Sequence, residues 1–466
     1  MKKMITFLSS CFLIQLITAQ VFIVDTINKT GPLDKRINLV YLADGYTATE
    51  QGKFLTDVIV INNKLFNTVP FKEYKNYFNV FAVKVVSAES GIKHANNASD
   101  CPGLATQPIT NPLNYFGTKF DAFSIHRLVV PDSFAKINAV LAANFPDYDQ
   151  VLLVGNTSFY GGSGGPIATS TTNSNAAEIM IHEIGHSFAG LADEYWAGSQ
   201  YAAEKPNMTS QSNATLVKWK NWIGTPNIGV FQHSGGTGWY KPTTGGVCKM
   251  EVLNPDFCNV CKETFVERVH TLTTPLDSYF PANATSLNVN ATLGFKINLI
   301  NPIPNTLKRT WKINNIQQAL NLDSFTVLSG SLPNGNHTVL VTVLDTTVLS
   351  RAENHINLHT YNIIWNLSVA TGISEPDLFQ ASLKIYPNPF QENLLVQYQL
   401  EKRADVSIQL VSLDGKQIPL VQVKKQNAGS YNVPFSLEKY QLTAGTYFVV
   451  FTINGNIVAK EIIKLK

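Results

Sequence analysis

His182, Glu183 and His186 stand in the order His-Glu-Ile-Gly-His, a spacing that lets one helix hold a zinc ion and activate water beside it. At 3.6 residues per turn, positions 182 and 186 lie roughly 40° apart around the axis and about 6 Å apart along it, so both imidazoles reach one metal. Glu183 falls beside that metal, placed to take a proton from an attacking water and pass it to a leaving amine. Two imidazoles leave the site short of a protein ligand. Asp193 would lie about 10 Å beyond His186 on a continuing helix, so the helix has to end between them. Gly190 can end it by taking the left-handed conformation. Upstream, Asn175 followed by Glu178 reads as an N-cap with a capping box, which predicts a helix over Ala176–Phe188. The competing reading is a polar helix face open to solvent, which would need neither the glycine break nor the acidic residue after it.

The elements before this helix alternate between strand and helix. Residues 36–43 and Phe78–Val86 read as buried strands, and Val151–Val154 as a short, fully apolar one. Helical patterns run over Thr47–Phe66 and Phe134–Phe145. This alternation argues for an α/β core. Between the last strand and the His-Glu helix, residues 159–170 are rich in glycine and predict either an irregular edge strand, where an extended peptide could pair its backbone, or a plain loop. No Lys-Ser or Lys-Thr follows these glycines, which excludes a phosphate-binding loop of the usual kind. Residues 207–242 read as surface loops forming one wall of a cleft, and Glu263–Thr271 as a closing helix.

At 466 residues the chain is long enough for two to four domains, and 44% hydrophobic residues supply their cores. Lys2 and Lys3 precede the apolar run Met4–Ile17, which ends in Ile17-Thr18-Ala19. This has the layout of a secretory signal over residues 1–19, with the mature chain starting near Gln20. Leu8-Ser9-Ser10-Cys11 offers a lipobox-like alternative. Loss of Lys2 and Lys3 from 36 basic side chains leaves 34 against 33 acidic ones, a balance that implies no nucleic-acid partner. No other stretch is apolar enough for a transmembrane span. Cys101, Cys248, Cys258 and Cys261 remain after the signal; an even number in an exported chain predicts two disulfides, with a structural metal site at Cys248, Cys258 and Cys261 as the alternative.

From about Pro275 the texture changes to short runs rich in β-branched residues, separated by Asn, Pro and Gly turns. Residues 281–371 therefore predict a small β-sandwich with Trp311 and Trp365 in its core. After a linker at Thr371–Pro376, residues 376–466 predict a second small β domain, with Asp414-Gly415 as a hairpin turn and Gly445 opening a strand.

Several separated motifs occur in one order: Leu42-Ala43-Asp44-Gly45-Tyr46-Thr47, Phe78-Asn79-Val80, Glu89-Ser90-Gly91, His182–Tyr195, Tyr240-Lys241-Pro242 and Cys248-Lys249-Met250. By these, the region from Arg36 to Thr271 resembles the IgA-metallopeptidase family of zinc endopeptidases. The resemblance implies an α/β zincin-like catalytic domain with His182 and His186 as zinc ligands and Glu183 as catalytic base. A looser likeness to metzincins points to a third ligand after Gly190. Asp193 is preferred there because Gly190-x-x-Asp193 keeps the interval, with Glu194 the runner-up. The same likeness makes Met250 a candidate turn methionine, with a gap-filling core residue as the alternative. Tyr240 or Tyr195 is a candidate donor to a tetrahedral oxyanion. Residues 378–466, through Tyr386-Pro387-Asn388-Pro389, Gly445-x-Tyr447 and a lysine-rich end, resemble the C-terminal sorting domain of the Bacteroidetes type IX secretion system. That implies the secretion machinery as a partner and a secreted or cell-surface location.

The expectation is thus a secreted zinc-dependent endopeptidase acting on protein or peptide. It consists of an α/β zincin-like catalytic domain over residues 20–280 followed by two small all-β, sandwich-like domains. The rival readings are a non-catalytic surface binding protein and a zinc hydrolase of a non-peptide amide.

Overall fold

The structure is a computed structural model describing residues 20–233, 237–282, 287–289, 292–369 and 383–465. The predicted signal segment and the linker at 371–376 lie outside the described residues. The chain divides into two compact units, one of Met1–Lys72 with Phe78–Phe265, the other of Glu73–Tyr77 with Val266–Lys466.

The first unit is built on a mixed six-stranded sheet. Its strands are β1 (Val24–Asn28), β2 (Ile37–Asp44), β3 (Phe78–Val83), β4 (Gln150–Gly155), β5 (Gly162–Ser163) and β6 (Ala168–Ser170), in the order β1-β3-β2-β4-β6-β5. The four inner strands run parallel, Leu39 pairing with both Val80 and Gln150, and Leu152 with Ala168. The two outer strands, β1 and β5, are antiparallel to their neighbours. Every residue of β2, β3 and β4 is buried, as expected of largely apolar strands in the interior of a parallel sheet. Helices α1 (Gln51–Leu65), α2 (Phe134–Asn144), α3 (Ala176–Ser187) and α4 (Asn259–Leu272) follow the predicted positions. Strand β3 stops three residues before the predicted Val86, because the Val85 amide folds back onto the Val83 carbonyl in a tight turn.

The corner after β2 shows why two of the sequence motifs belong together. Asp44 is buried, and its carboxylate accepts the amides of Phe116 and Thr118 at 3.0 and 3.1 Å. Gly45 has φ +72°, and its carbonyl accepts the Gly91 amide at 2.9 Å. A Cβ on Gly45 would fall 2.2 Å from the Gly91 carbonyl oxygen, so only glycine fits there. Glu50 completes the corner, accepting from the Thr47 amide, Ser90 Oγ and Asn156 Nδ2. It thereby ties the ends of β2 and β4 to the loop after β3.

The glycine-rich stretch forms the sheet edge. β5 pairs with β6, and on its other side Gly162 bonds the Arg127 carbonyl and the Val129 amide, so this part of the edge is already engaged by residues 127–129.

Past the end of α4, the described residues of the second unit are β-strands joined by loops and short helical turns. Its first part has a five-stranded sheet containing Leu307–Ile313, Gly335–Asp345 and Thr360–Val369, and a three-stranded sheet containing Leu293–Leu299. Trp311 and Trp365 lie fully buried in its core, stacked with centroids 5.8 Å apart, as the sequence predicts. The C-terminal part pairs a three-stranded with a four-stranded sheet around Val396, Tyr398, Ile408 and Phe451. Gly415, at φ +83°, turns the hairpin between Ala404–Ser412 and Gln417–Gln426.

Replacing Gly45 by Ala puts a methyl group into backbone and forces a positive φ on an L side chain. The expected outcome is a loss of about 2–4 kcal/mol in the unfolding free energy, measured by denaturant titration.

Candidate metal centre

Helix α3 presents Ile179, Met180, Ile181 and Ile184 to the interior, and this fixes where its two histidines point. Asn175 occupies the N-cap position, but its side chain makes no capping bond. The predicted capping box is absent because the Glu178 carboxylate is drawn to Lys64, at 2.7 Å, and to Lys249. The C-terminal end is as expected. Gly190, at φ +67°, lets the Gly190 and Leu191 amides return to the carbonyls of His186 and Gly185, and the chain doubles back beneath the histidines.

This reversal brings Asp193 to the imidazoles. Asp193 Oδ1 lies 3.1 Å from His182 Nε2 and 3.3 Å from His186 Nε2, and the two Nε2 atoms are 3.3 Å apart. Tetrahedral coordination with bonds of about 2.0–2.1 Å separates donors by roughly 3.3 Å, so these three atoms fit one zinc ion. The other ring nitrogens set the tautomers. His182 Nδ1 is 2.8 Å from the Lys249 carbonyl and His186 Nδ1 2.8 Å from the Leu191 carbonyl. A carbonyl only accepts, so each Nδ1 carries a proton and Nε2 is the ring nitrogen left to face a metal.

The charges respond to one another. Burial alone would lower the His186 pKa, but the bond and charge of Asp193 push it up to about 9. Burial likewise opposes ionisation of Asp193, yet the two histidines hold its carboxyl far below the usual carboxylate range. Glu183, half-buried beside them with Oε2 3.9 Å from His186 Nε2, has its pKa raised chiefly by its loss of contact with water.

These groups open into a cleft of about 940 Å³ lined by Gly164, Gly165, Glu183 and Tyr195, among others. Gly164 packs so closely on His186 that a Cβ there would come within 2.5 Å of the imidazole-bearing carbon. Tyr195 lies with its ring nearly parallel to His182, and Arg127 Nη2 reaches its hydroxyl at 3.4 Å. Tyr240 is placed otherwise. It sits on strand β8 (Tyr240–Lys241), paired with β7 (Phe231–Gln232) and with Thr209, and is not among the described residues that line the cleft. Met250 lies beneath the helix, where a Cβ on Gly185 would approach its Sδ to 2.6 Å, and its carbonyl accepts the Glu194 amide at 2.7 Å.

Glu194 points away from the histidines. It is fully buried, with burial and then the Cys248 charge pushing its pKa up to about 8. Its Oε1 lies 3.2 Å from Cys261 Sγ and 3.8 Å from Cys258 Sγ. The predicted disulfides are not formed: Cys101, Cys248, Cys258 and Cys261 are all free thiols. Cys248 and Cys261 stand 3.8 Å apart, beyond bonding distance, because three thiols share one pocket with a carboxylate. Cys101 is grouped instead with His94, Asp121 and His126. Sequence reasoning missed that group, and missed Arg127 and Tyr160 in the cleft, since none of them stands at a helical or ligand spacing.

Residues 25–230 match the profile described as IgA Peptidase M64. The greater part of the first unit is therefore similar to M64 peptidases. Residues 384–465 match the secretion system C-terminal sorting domain, which marks the protein for export through the type IX secretion system to the cell surface or beyond. No curated protein matches the chain. Among solved structures, dimeric latent PorU from Porphyromonas gingivalis is 17% identical over 41% of this chain and 20% of its own, with a TM-score of 0.18. The Bacteroides ovatus mixed-linkage glucan utilization locus protein SGBP-B is 12% identical over 40% of this chain and 44% of its own, at 0.16. The fibronectin(III)-like modules of Clostridium thermocellum CbhA are 8% identical over 41% of this chain and 92% of their own, at 0.17. This chain thus spans less than half the length of the first two. No helix among the described residues is long and apolar enough to cross a membrane.

The loop carrying Asp193 depends on one amide. Asn207 is fully buried, accepts the Ala192 amide at 2.7 Å and donates to the Ala192 carbonyl at 2.8 Å. Its replacement by Leu strands both backbone groups, and a loss of about 2–4 kcal/mol is expected in chemical unfolding.

Proposed function

We propose that the M64 domain is a zinc-dependent endopeptidase with an α/β zincin-like fold, in which His182, His186 and Asp193 hold the ion and Glu183 is the general base. The observation that carries this reading is the convergence of two Nε2 atoms and one carboxylate oxygen at 3.1–3.3 Å, beside the half-buried Glu183 carboxylate on an open cleft. These three side chains would hold the zinc, which when bound would supply a Lewis acid to polarise a scissile carbonyl and lower the pKa of water.

The chain's own groups do the rest. Glu183, its proton affinity raised by burial, takes a proton from the attacking water and returns it to the leaving amine. Gly164 and Gly165, beyond the engaged part of the β5 edge, offer backbone to an extended peptide without side-chain obstruction. Tyr195, positioned by Arg127, is the better-placed hydroxyl for the oxyanion, and Tyr240 is the alternative only if the β7–β8 hairpin moves toward the cleft. In this reading residues 20–280 form the peptidase domain, 281–371 a sandwich and 376–466 the sorting domain, preceded by a cleavable signal over 1–19.

The test is digestion of a denatured protein mixture by the full chain, with zinc content measured on the same samples. Wild type and Glu183→Gln should both hold zinc, while the variant makes new peptide ends at least about 100-fold more slowly. Asp193→Asn should lose both activity and one equivalent of zinc. A wild type that holds zinc and cuts no protein sinks the endopeptidase reading in favour of another amide substrate or a binding role. An Asp193→Asn variant with undiminished zinc sinks the ligand assignment.

A further inference from the structure

We propose that His94, Cys101, Asp121 and His126 form a second, structural zinc site that staples the wall of the cleft. Their donor atoms lie within 4.8 Å of one another. Cys101 Sγ is 3.2 Å from Asp121 Oδ1, 3.6 Å from His126 Nδ1 and 3.9 Å from His94 Nε2, and His94 Nε2 is 3.7 Å from Asp121 Oδ2. A tetrahedral zinc with nitrogen and oxygen near 2.0–2.1 Å and sulfur near 2.3 Å spaces its donors by roughly 3.3–3.6 Å, close to these values. The pair that is tighter, His126 Nδ1 and Asp121 Oδ1 at 2.8 Å, would open slightly on binding.

The surroundings follow the pattern of metal-bound histidines. His94 Nδ1 donates to the Pro108 carbonyl at 2.9 Å, which leaves Nε2 as the lone pair facing Cys101. His126 Nε2 meets Gln107 Oε1 at 3.0 Å, which turns Nδ1 toward the cluster in the same way. His94, Asp121 and His126 are buried, and Cys101 is half-buried. Two imidazoles, a thiol and a carboxylate suit zinc rather than calcium or magnesium, and the thiol would release its proton to solvent on binding.

The location gives the site a purpose. The stretch between β3 and α2, residues 84–133, has only isolated bridges and one 3₁₀ turn, too little regular structure to hold so long a segment by itself. Yet Arg127 follows His126 directly, and residues 127–129 bond Gly162 on the sheet edge. A metal bound here fixes the segment that presents Arg127 to Tyr195.

The same logic, on independent observations, assigns a further zinc site to Glu194, Cys248, Cys258 and Cys261. All four are buried, Cys248 and Cys261 stand 3.8 Å apart, as two thiolates on one zinc do, and the Cys258 amide donates to Cys248 Sγ at 3.3 Å. This site would hold the residue next to Asp193 against the turn carrying Met250.

Metal content of the purified full chain, measured by plasma mass spectrometry, tests both sites separately from the catalytic one. Cys101→Ser and Asp121→Asn should each lose one zinc per chain, Cys261→Ser should lose a different one, and Glu183→Gln should lose none. Should a variant fail to fold, alkylation of the wild-type protein decides instead. Cys101, and separately Cys258 and Cys261, should be labelled only after a chelator is added. Unchanged zinc in a folded variant, or labelling indifferent to the chelator, overturns the site concerned. So does an intact mass showing a Cys248–Cys261 disulfide, for the second. These outcomes stand apart from failure of the peptidase reading, which leaves His182, His186 and Asp193 without metal or the cleft without activity.

Discussion

A carboxylate lodged between two imidazoles, one buried and one half-buried, is the constraint that the first unit is arranged to satisfy. Placing Asp193 against His182 and His186 takes ionisable groups out of water, a cost recovered only if each remaining proton and lone pair has a partner. The partners are backbone carbonyls from separate segments, Leu191 just past the helix and Lys249 from the distant stretch before Met250. Neither imidazole can rotate away without leaving a buried carbonyl unpaired.

The same demand shapes the support behind the site. Asn207 closes on both backbone groups of Ala192, and Lys241 is buried with its ammonium between the Glu194 carbonyl and the Glu251 carboxylate, 2.6 Å away. Lys249 performs a similar service for Glu178, binding the start of α3 to the segment that carries Met250. Polar contacts of this kind are strong in a low-dielectric interior and unforgiving when one member is missing. They explain how irregular loops can form the walls of the cleft and still hold its side chains in place.

Export adds a separate requirement. A sorting domain directs the protein outside the cell, where thiols are commonly oxidised to disulfides, yet the four cysteines of the described chain are grouped with carboxylates and imidazoles instead. Thiols gathered in that company are protected by a bound cation more directly than by one another.

Much of this could be read from the letters. The His-Glu-x-x-His spacing, the helix over 176–187, the break at Gly190 and the β-strand texture of the last half depend on local periodicity and on a single residue's allowed dihedral angles, which sequence encodes within a few positions. Even there, long-range contacts intervened, since Glu178 was taken from the expected capping box by two lysines, one of them 71 residues away. Which carboxylate meets the histidines, Asp193 or its neighbour, was decided only when the chain turned back and the pocket of Cys248, Cys258 and Cys261 took Glu194. The placing of Tyr195 rather than Tyr240 beside the cleft, and the meeting of His94, Cys101, Asp121 and His126, likewise came from the fold. Residues far apart in sequence share no period, and the sheet and its long loops alone bring their donor atoms within bonding reach of one point.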